Sequence, residues 1–504
     1  MTRQPKAALA VMERRHLAHG IEYVFRASRL ANLSWQLDCL AGLHACSRAA
    51  YEELWGDTLR DRTGLRSALR RWAELRSRNR GPVGELSPTS PTQLPLPKLN
   101  PDLWQRVRLA SLSAPDTAHY ESILYALTDR STAKALRDVV EEFDASFDGL
   151  WRRALPELER AIGEQRTLQA RSDVGLTIRR VADFYGADLG RHPQITFDML
   201  FRPEHVSPTH ATQVLDRGLI EVVSSEPPAL RIQVPLHELF HFLFASAPHD
   251  RLERLAQRFA GSTNPDALAA YGLLDEVLAT GLAQGVLGRR LTPEQFQQKL
   301  AAPRRLFADE FVDAVAKALL PTLEEIVTRP DARDAVFSAE FHAAYLGAVA
   351  RAYPNGLPPG AHLRPLACAY SKELESAYRT LHARSGARLV ASTAEPDTEE
   401  ARALLEERHT WGRGLLLKPD QLGSLRRYNR VLGAADVLEI ARAARRGASF
   451  AYANRVPGTG PVFVLVADDH GGAEALLQRF FELGAMFSGL ALEVPREKGR
   501  ANAN

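Results

Sequence analysis

Apolar residues recur at spacings of three and four through much of this chain, the period of a helix with one buried face. Tyr23 to Trp55 keeps that period with no interrupting proline, so residues 1–78 are expected to be helical. Pro82, Pro88, Pro91, Pro95, Pro97 and Pro101 then break it, and residues 79–101 read as a Pro-rich linker or loop. Leu94, Leu96 and Leu99 offer that segment apolar contacts for wrapping the body. Helical spacing resumes from 102 to about 170. The period next changes to two: Gln194–Phe201 (QITFDMLF) and Leu219–Val223 (LIEVV) alternate and are rich in β-formers, predicting strands of a small sheet. From Leu236 to about 352 the pattern is helical again, with breaks near Gly261, Pro293 and Pro330. Beyond a helix ending near His382, Ala387–Ala391 is a short strand candidate, 398–408 and 435–446 are helical, and Val462–Val466 (VFVLV) reads as a buried strand. The pattern predicts a predominantly helical α+β protein. Its parts are an N-terminal helical region (1–78), the linker (79–101), a helical and α+β core (102–384) with a small sheet ahead of its central helix, and a C-terminal α/β unit (385–504).

A length of 504 residues suits two or three domains. A formal net charge of +3 supplies no global basic character, so nucleic acid is not an expected partner. No run of about 20 apolar residues predicts a membrane span, and the N-terminus lacks the apolar core of a signal peptide, so the expected location is cytoplasmic. Cys39, Cys46 and Cys368 are too few for a disulfide framework. Cys39 and Cys46 fall two turns apart on one helical face and read as buried thiols.

Candidate chemistry is concentrated in residues 236–244, Leu-His-Glu-Leu-Phe-His-Phe-Leu-Phe. The segment HELFH fits the H-E-x-x-H pattern. On a helix, His237 and His241 share a face one turn apart and can aim nitrogens at one ion. Glu238 then projects beside the ion's open position, placed to act as general base on a zinc-activated water. The surrounding apolar residues make a buried helix, in which a His-Glu-His trio is costly unless something such as a metal satisfies it. Pro235 is expected just ahead of the helix, where its missing N–H costs nothing.

A third ligand should lie downstream. Glu276, 35 residues after His241 in LLDEVLATGLA, is the candidate on a helical pattern. His249 is close in sequence but off the spacing of a third histidine, which falls on Ala247. An H-E-x-x-H helix followed by a second helix offering Glu and then small residues resembles the gluzincin metallopeptidases. The resemblance covers about 50 to 90 residues. It implies a zincin-like core, one zinc per chain held by His237, His241 and Glu276, and Glu238 as base for cleaving a peptide or protein substrate. Ala279 and Gly281 would let the two helices pack closely. The chain departs from the thermolysin-like pattern at Thr280, where that pattern has an Asp to steady a ligand histidine. Asp275 is a substitute, although it points elsewhere on the helix.

The resemblance also implies a Tyr or His that steadies an oxyanion, for which His342, Tyr345 and Tyr370 are candidates. Leu219–Val223 is expected to be the sheet edge that pairs with substrate. Asp468-Asp469-His470 reads as a polar loop with capping, Gly458-Thr459-Gly460 lacks the spacing of a phosphate loop, and the Arg-rich stretches 425–430 and 442–446 read as solvated helix faces. The expected activity is that of a zinc-dependent metallopeptidase. The alternative is a non-catalytic, zinc-stabilised binding protein.

Overall fold

The computed structural model describes residues 11–43, 48–78, 92, 94–97, 103–171, 174–190, 193–202, 210–222, 228–387, 389–446, 448–456 and 458–495. It is a predominantly helical α+β protein with two mixed sheets. The first sheet holds β1 (Val11–Ala18), β2 (Ile21–Ser28), β3 (Gln194–Phe201), β4 (His210–Val214) and β5 (Arg217–Val222), in the order β1-β2-β3-β5-β4. The parallel pairs are β2 with β3 and β3 with β5; β1 with β2 and β4 with β5 are antiparallel.

Two of these strands fall where a helix was expected. Residues 11–28 form a hairpin because His19 (φ 51°) and Gly20 (φ 74°) both take left-handed backbone, the two-residue turn that matches strand twist. The following IEYVFRAS is rich in β-branched and aromatic residues and is mostly buried. Helices Arg29–Leu40, Arg48–Asp61 and Thr63–Arg78 then follow as the periodicity predicts.

The N-terminal region packs into the main body. A single hydrophobic core runs from Ile21 to Ala361 and takes in both that region and the stretch beyond it. Leu94 and Leu96 are buried in it, as the wrapping reading expects, whereas Leu99 lies outside the described residues. Asp38, on the helix Arg29–Leu40, is fully enclosed and accepts from Trp72 Nε1 (2.8 Å) and Arg76 Nη2 (2.8 Å), tying two helices together.

The second sheet holds β6 (Pro365–Tyr370), β7 (Leu389–Thr393), β8 (Gly412–Leu417), β9 (Ala448–Asn454), β10 (Val462–Val466) and β11 (Gly489–Pro495), in the order β11-β9-β10-β8-β6-β7. Helices Glu375–Ser385 and His470–Phe481 cover one face, Glu399–Glu407 and Ala434–Ala444 the other. This α/β unit starts at Pro365, ahead of the expected 385, because β6 is a central strand. Its PLACAY run is too short and too uniformly apolar to declare its period.

Cys39 is disulfide-bonded, contrary to the thiol reading, and Cys46 lies outside the described residues. Cys368 is a buried free thiol on β6. No described helix is long and apolar enough to cross a membrane.

Candidate metal centre

The helix Pro228–Ala245 carries the His-Glu-His trio. Pro235 lies inside it instead of preceding it, and Pro228 takes the N-terminal position. Leu236, Leu239, Phe240, Leu243 and Phe244 are all buried, so the helix is embedded in the core and the histidines are fixed by packing. His237 Nε2 and His241 Nε2 are 3.1 Å apart. Glu276 comes from the helix Ala267–Thr280 and is 5% exposed. Its Oε2 lies 3.4 Å from His237 Nε2 and its Oε1 3.5 Å from His241 Nε2.

A tetrahedral ion with bonds of about 2.0–2.1 Å holds its ligands about 3.3–3.4 Å apart. The Nε2–Nε2 separation and the approach of the Glu276 carboxylate to both rings are close to that length, so His237, His241 and Glu276 could hold one metal ion.

Each imidazole is oriented through its other nitrogen. His241 Nδ1 donates to Asp275 Oδ1 at 2.7 Å, and His237 Nδ1 to Gln284 Oε1 at 3.3 Å. The His237 ring also stacks on Phe307, with centroids 5.5 Å apart. These partners hold both rings with their Nε2 atoms facing the same point. Burial works against charge on His241, but Asp275, Glu276 and Glu238 outweigh it and raise its pKa to about 9. The pocket is thus a field that favours a cation.

Asp275 reaches the site despite its position next to Glu276. His237 and His241, one turn apart on the facing helix, span enough width for Glu276 to face both Nε2 atoms while Asp275 reaches Nδ1 of His241. Thr280, in the thermolysin-like Asp position, is fully buried in the core. Gln284 was not expected from the sequence. It sits in a π-helical stretch, Gly281–Leu287, where the wider turn shifts side chains off the α-helical register. Gly281 and Gly285 do not serve the contact with the trio's helix. They lie against Leu323 and Leu320 of the helix Glu310–Thr328, where a Cβ would collide.

Glu238, His241, Asp275 and Glu276 line a cleft of about 450 Å³ whose opposite wall is β4, from His210 to Gln213. Here the expected edge is corrected: β5 is internal, between β3 and β4, and β4 is the edge strand. His210 Nδ1 lies 3.5 Å from Glu221 Oε2, a buried carboxylate that also accepts from Trp35 Nε1 (2.9 Å) and Tyr51 OH (2.8 Å). A neighbouring cavity of about 210 Å³ is bounded by Pro95, Leu96, Pro97, Asp275 and Glu276. There Tyr271 OH donates to the Pro95 carbonyl at 3.0 Å, which secures the wrapping segment beside the site.

No family model, curated protein or solved structure matches the chain. Its chemistry must be read from the residues themselves. The trio and Glu276 come together; the other candidates do not join them. Tyr345 is fully buried and its hydroxyl donates to the Ala270 carbonyl at 2.7 Å. His342, one turn away, packs edge-on against Phe259 at 4.6 Å. Neither lines the cleft. Tyr370 stacks on Tyr378 at 4.3 Å in the C-terminal unit. His249 is exposed and pairs with Glu253 at 3.3 Å. Asp469 of the Asp-Asp-His loop caps the helix His470–Phe481 by accepting from Gly472 N–H, as a capping loop should.

Proposed function

We propose that the chain is a zinc-dependent hydrolase that cleaves peptide bonds, with His237, His241 and Glu276 as zinc ligands and Glu238 as general base. The observation that carries this reading is the convergence of the three ligand atoms on one point at the wall of a cleft that Glu238 also lines. Two imidazoles and one carboxylate would hold zinc and leave it room for a water or a substrate oxygen. Zinc, when bound, supplies Lewis acidity to a carbonyl and makes a water acidic enough to attack near neutral pH.

The protein's own groups perform the rest. Glu238, half-buried, accepts the proton of the attacking water and delivers it to the leaving amine. The outer side of β4 offers main-chain hydrogen bonds to an extended peptide laid along the cleft. His210, on the same wall, would donate a hydrogen bond to the developing oxyanion, the role expected of His342, Tyr345 or Tyr370.

The test is metal content by elemental mass spectrometry, with wild type beside His241→Ala and Glu276→Ala, followed by hydrolysis of unstructured peptides. About one zinc per wild-type chain, lost in both variants, with zinc-dependent turnover, is the expected result. A folded wild type that takes up no zinc overturns the reading. Zinc bound without turnover of any peptide would make the site structural.

A further inference from the structure

Five arginines in the described residues are buried: Arg76, Arg108, Arg202, Arg364 and Arg413. The first four each face a carboxylate, Arg76 and Arg108 on Asp38, Arg202 on Glu221 and Arg364 on Asp309. Arg413 differs. It is 5% exposed on β8, and no carboxylate among the described residues pairs with it. Its Nη2 donates to the Gly460 carbonyl at 2.8 Å, and its Nε is buried with no hydrogen-bond partner among the described residues. A buried guanidinium without a counter-charge is among the most costly arrangements a fold can keep.

Arg413 lines a pocket of about 330 Å³ together with His409, Arg430, Glu406 and Thr459. Arg430 is exposed and has no ion-pair partner among the described residues. Glu406 is already engaged by Arg402 Nη1 at 3.1 Å, so it does not neutralise Arg413. The local charge is therefore positive. The backbone beside it is constrained. Gly458 has φ 76°, and a Cβ on Gly460 would collide with the Trp411 carbonyl, so the loop closes tightly onto the N-terminal end of β8.

We propose that this pocket binds a phosphate-type oxyanion, held by the Arg413 guanidinium with Arg430 and His409 around it. A planar fork of N–H donors plus a second arginine suits a dianion with several acceptor oxygens. The volume admits a free phosphate or the phosphate group of a small metabolite. Burial pushes Arg413 down to about 10, and burial together with the Arg413 charge pushes His409 down, strains that an anion relieves. The site shares no lining residue with the metal cleft, so it stands whatever the metal centre does.

The test is thermal unfolding of the full chain titrated with inorganic phosphate at constant ionic strength, against chloride. Binding to the folded state alone raises Tm with ligand concentration. The expected result is a phosphate-specific rise whose apparent Kd weakens roughly tenfold or more in Arg430→Gln and in His409→Gln, the loss of a hydrogen bond to a charged group. Arg413→Gln should abolish it. Because Arg413→Gln removes a buried group and could unfold the unit, the exposed Arg430 carries the decision. Parallel titrations with glycerol phosphate and adenosine monophosphate identify the source: tighter binding than inorganic phosphate indicates a phosphorylated metabolite, weaker binding the free anion. A Tm rise no larger than that with chloride, or an unchanged Kd in Arg430→Gln and His409→Gln, overturns the proposal.

Discussion

Asp275 and Glu276 are adjacent carboxylates on one helix with different tasks. Glu276 faces the point where both histidine Nε2 atoms converge, whereas Asp275 holds His241 from behind. Removing such a positioning carboxylate typically costs 10–100-fold in metal affinity. Asp275→Asn is therefore expected to weaken zinc binding by about 10–100-fold. Competition with a chromophoric chelator measures this, and an unchanged affinity would show that Asp275 has no share in holding the metal. Glu238→Gln should behave oppositely, keeping zinc while turnover of a peptide substrate falls about 10²–10⁴-fold. Unchanged turnover in a metal-loaded variant would remove Glu238 from the mechanism. At this scale the trio was legible because i, i+4 spacing is a local property. Asp275 and Gln284 were not, because their partners lie 34 and 47 residues away.

Among the elements, the π-helical stretch Gly281–Leu287 links the helix Ala267–Thr280, which carries Glu276, to the rest of the core. It brings Gln284 to His237 and lets Gly281 and Gly285 seat against the helix Glu310–Thr328. Gly285→Val would drive a branched side chain into Leu320. Overpacking of this kind costs about 1–3 kcal/mol. We expect a lowered denaturant midpoint with an unchanged slope, and weaker zinc retention because Gln284 moves with its neighbour. Wild-type stability in this variant would mean that the helices slide apart freely. Strand β4 shows why an element can escape sequence reading. HATQV is mixed in polarity, its pairing depends on the turn at Leu215 (φ 54°), and only the sheet order makes it an edge. β3, by contrast, alternates clearly enough to have been bounded at Gln194–Phe201 from pattern alone.

For the molecule as a whole, Asp266 is the junction between the core that carries the His-Glu-His helix and the C-terminal unit. It accepts from Arg455 Nη2 at 2.5 Å and from Leu357 N–H at 3.3 Å, and its Oδ1 lies 3.2 Å from His362 Nε2. Burial opposes its charge, but the His362 and Arg455 contacts outweigh that and hold its carboxyl below the usual range. Burial also depresses His362. Both groups act in one direction with pH. His362 must take up a proton that the folded state resists, so its stabilisation is present above about pH 6.5 and is lost as pH falls towards its lower folded value. Asp266 stabilises above its unfolded value of about 3.9 and loses that contribution as pH falls through its lower folded pKa. Stability should therefore decline on acidification in two stages, and His362→Gln should flatten the upper one. Tm measured from about pH 2 to 8 checks this. A profile that rises towards low pH, or a variant that leaves the upper stage intact, would contradict it.

The sequence by itself determined what depends on near neighbours: helix and strand periods, the buried helix bearing His237, Glu238 and His241, and a second helix able to offer Glu276. Tertiary structure decided what depends on distant partners. It merged the N-terminal region with the core by pairing β2 with β3, drew β6 into the second sheet, and placed β4 instead of β5 at the edge facing the cleft. It also buried Tyr345 against Ala270 and left Arg413 as the buried arginine without a carboxylate among the described residues. A period is written in the spacing of a few consecutive residues. Sheet order, burial of charge and the meeting of two helices arise only when segments far apart in sequence compete for the same neighbours.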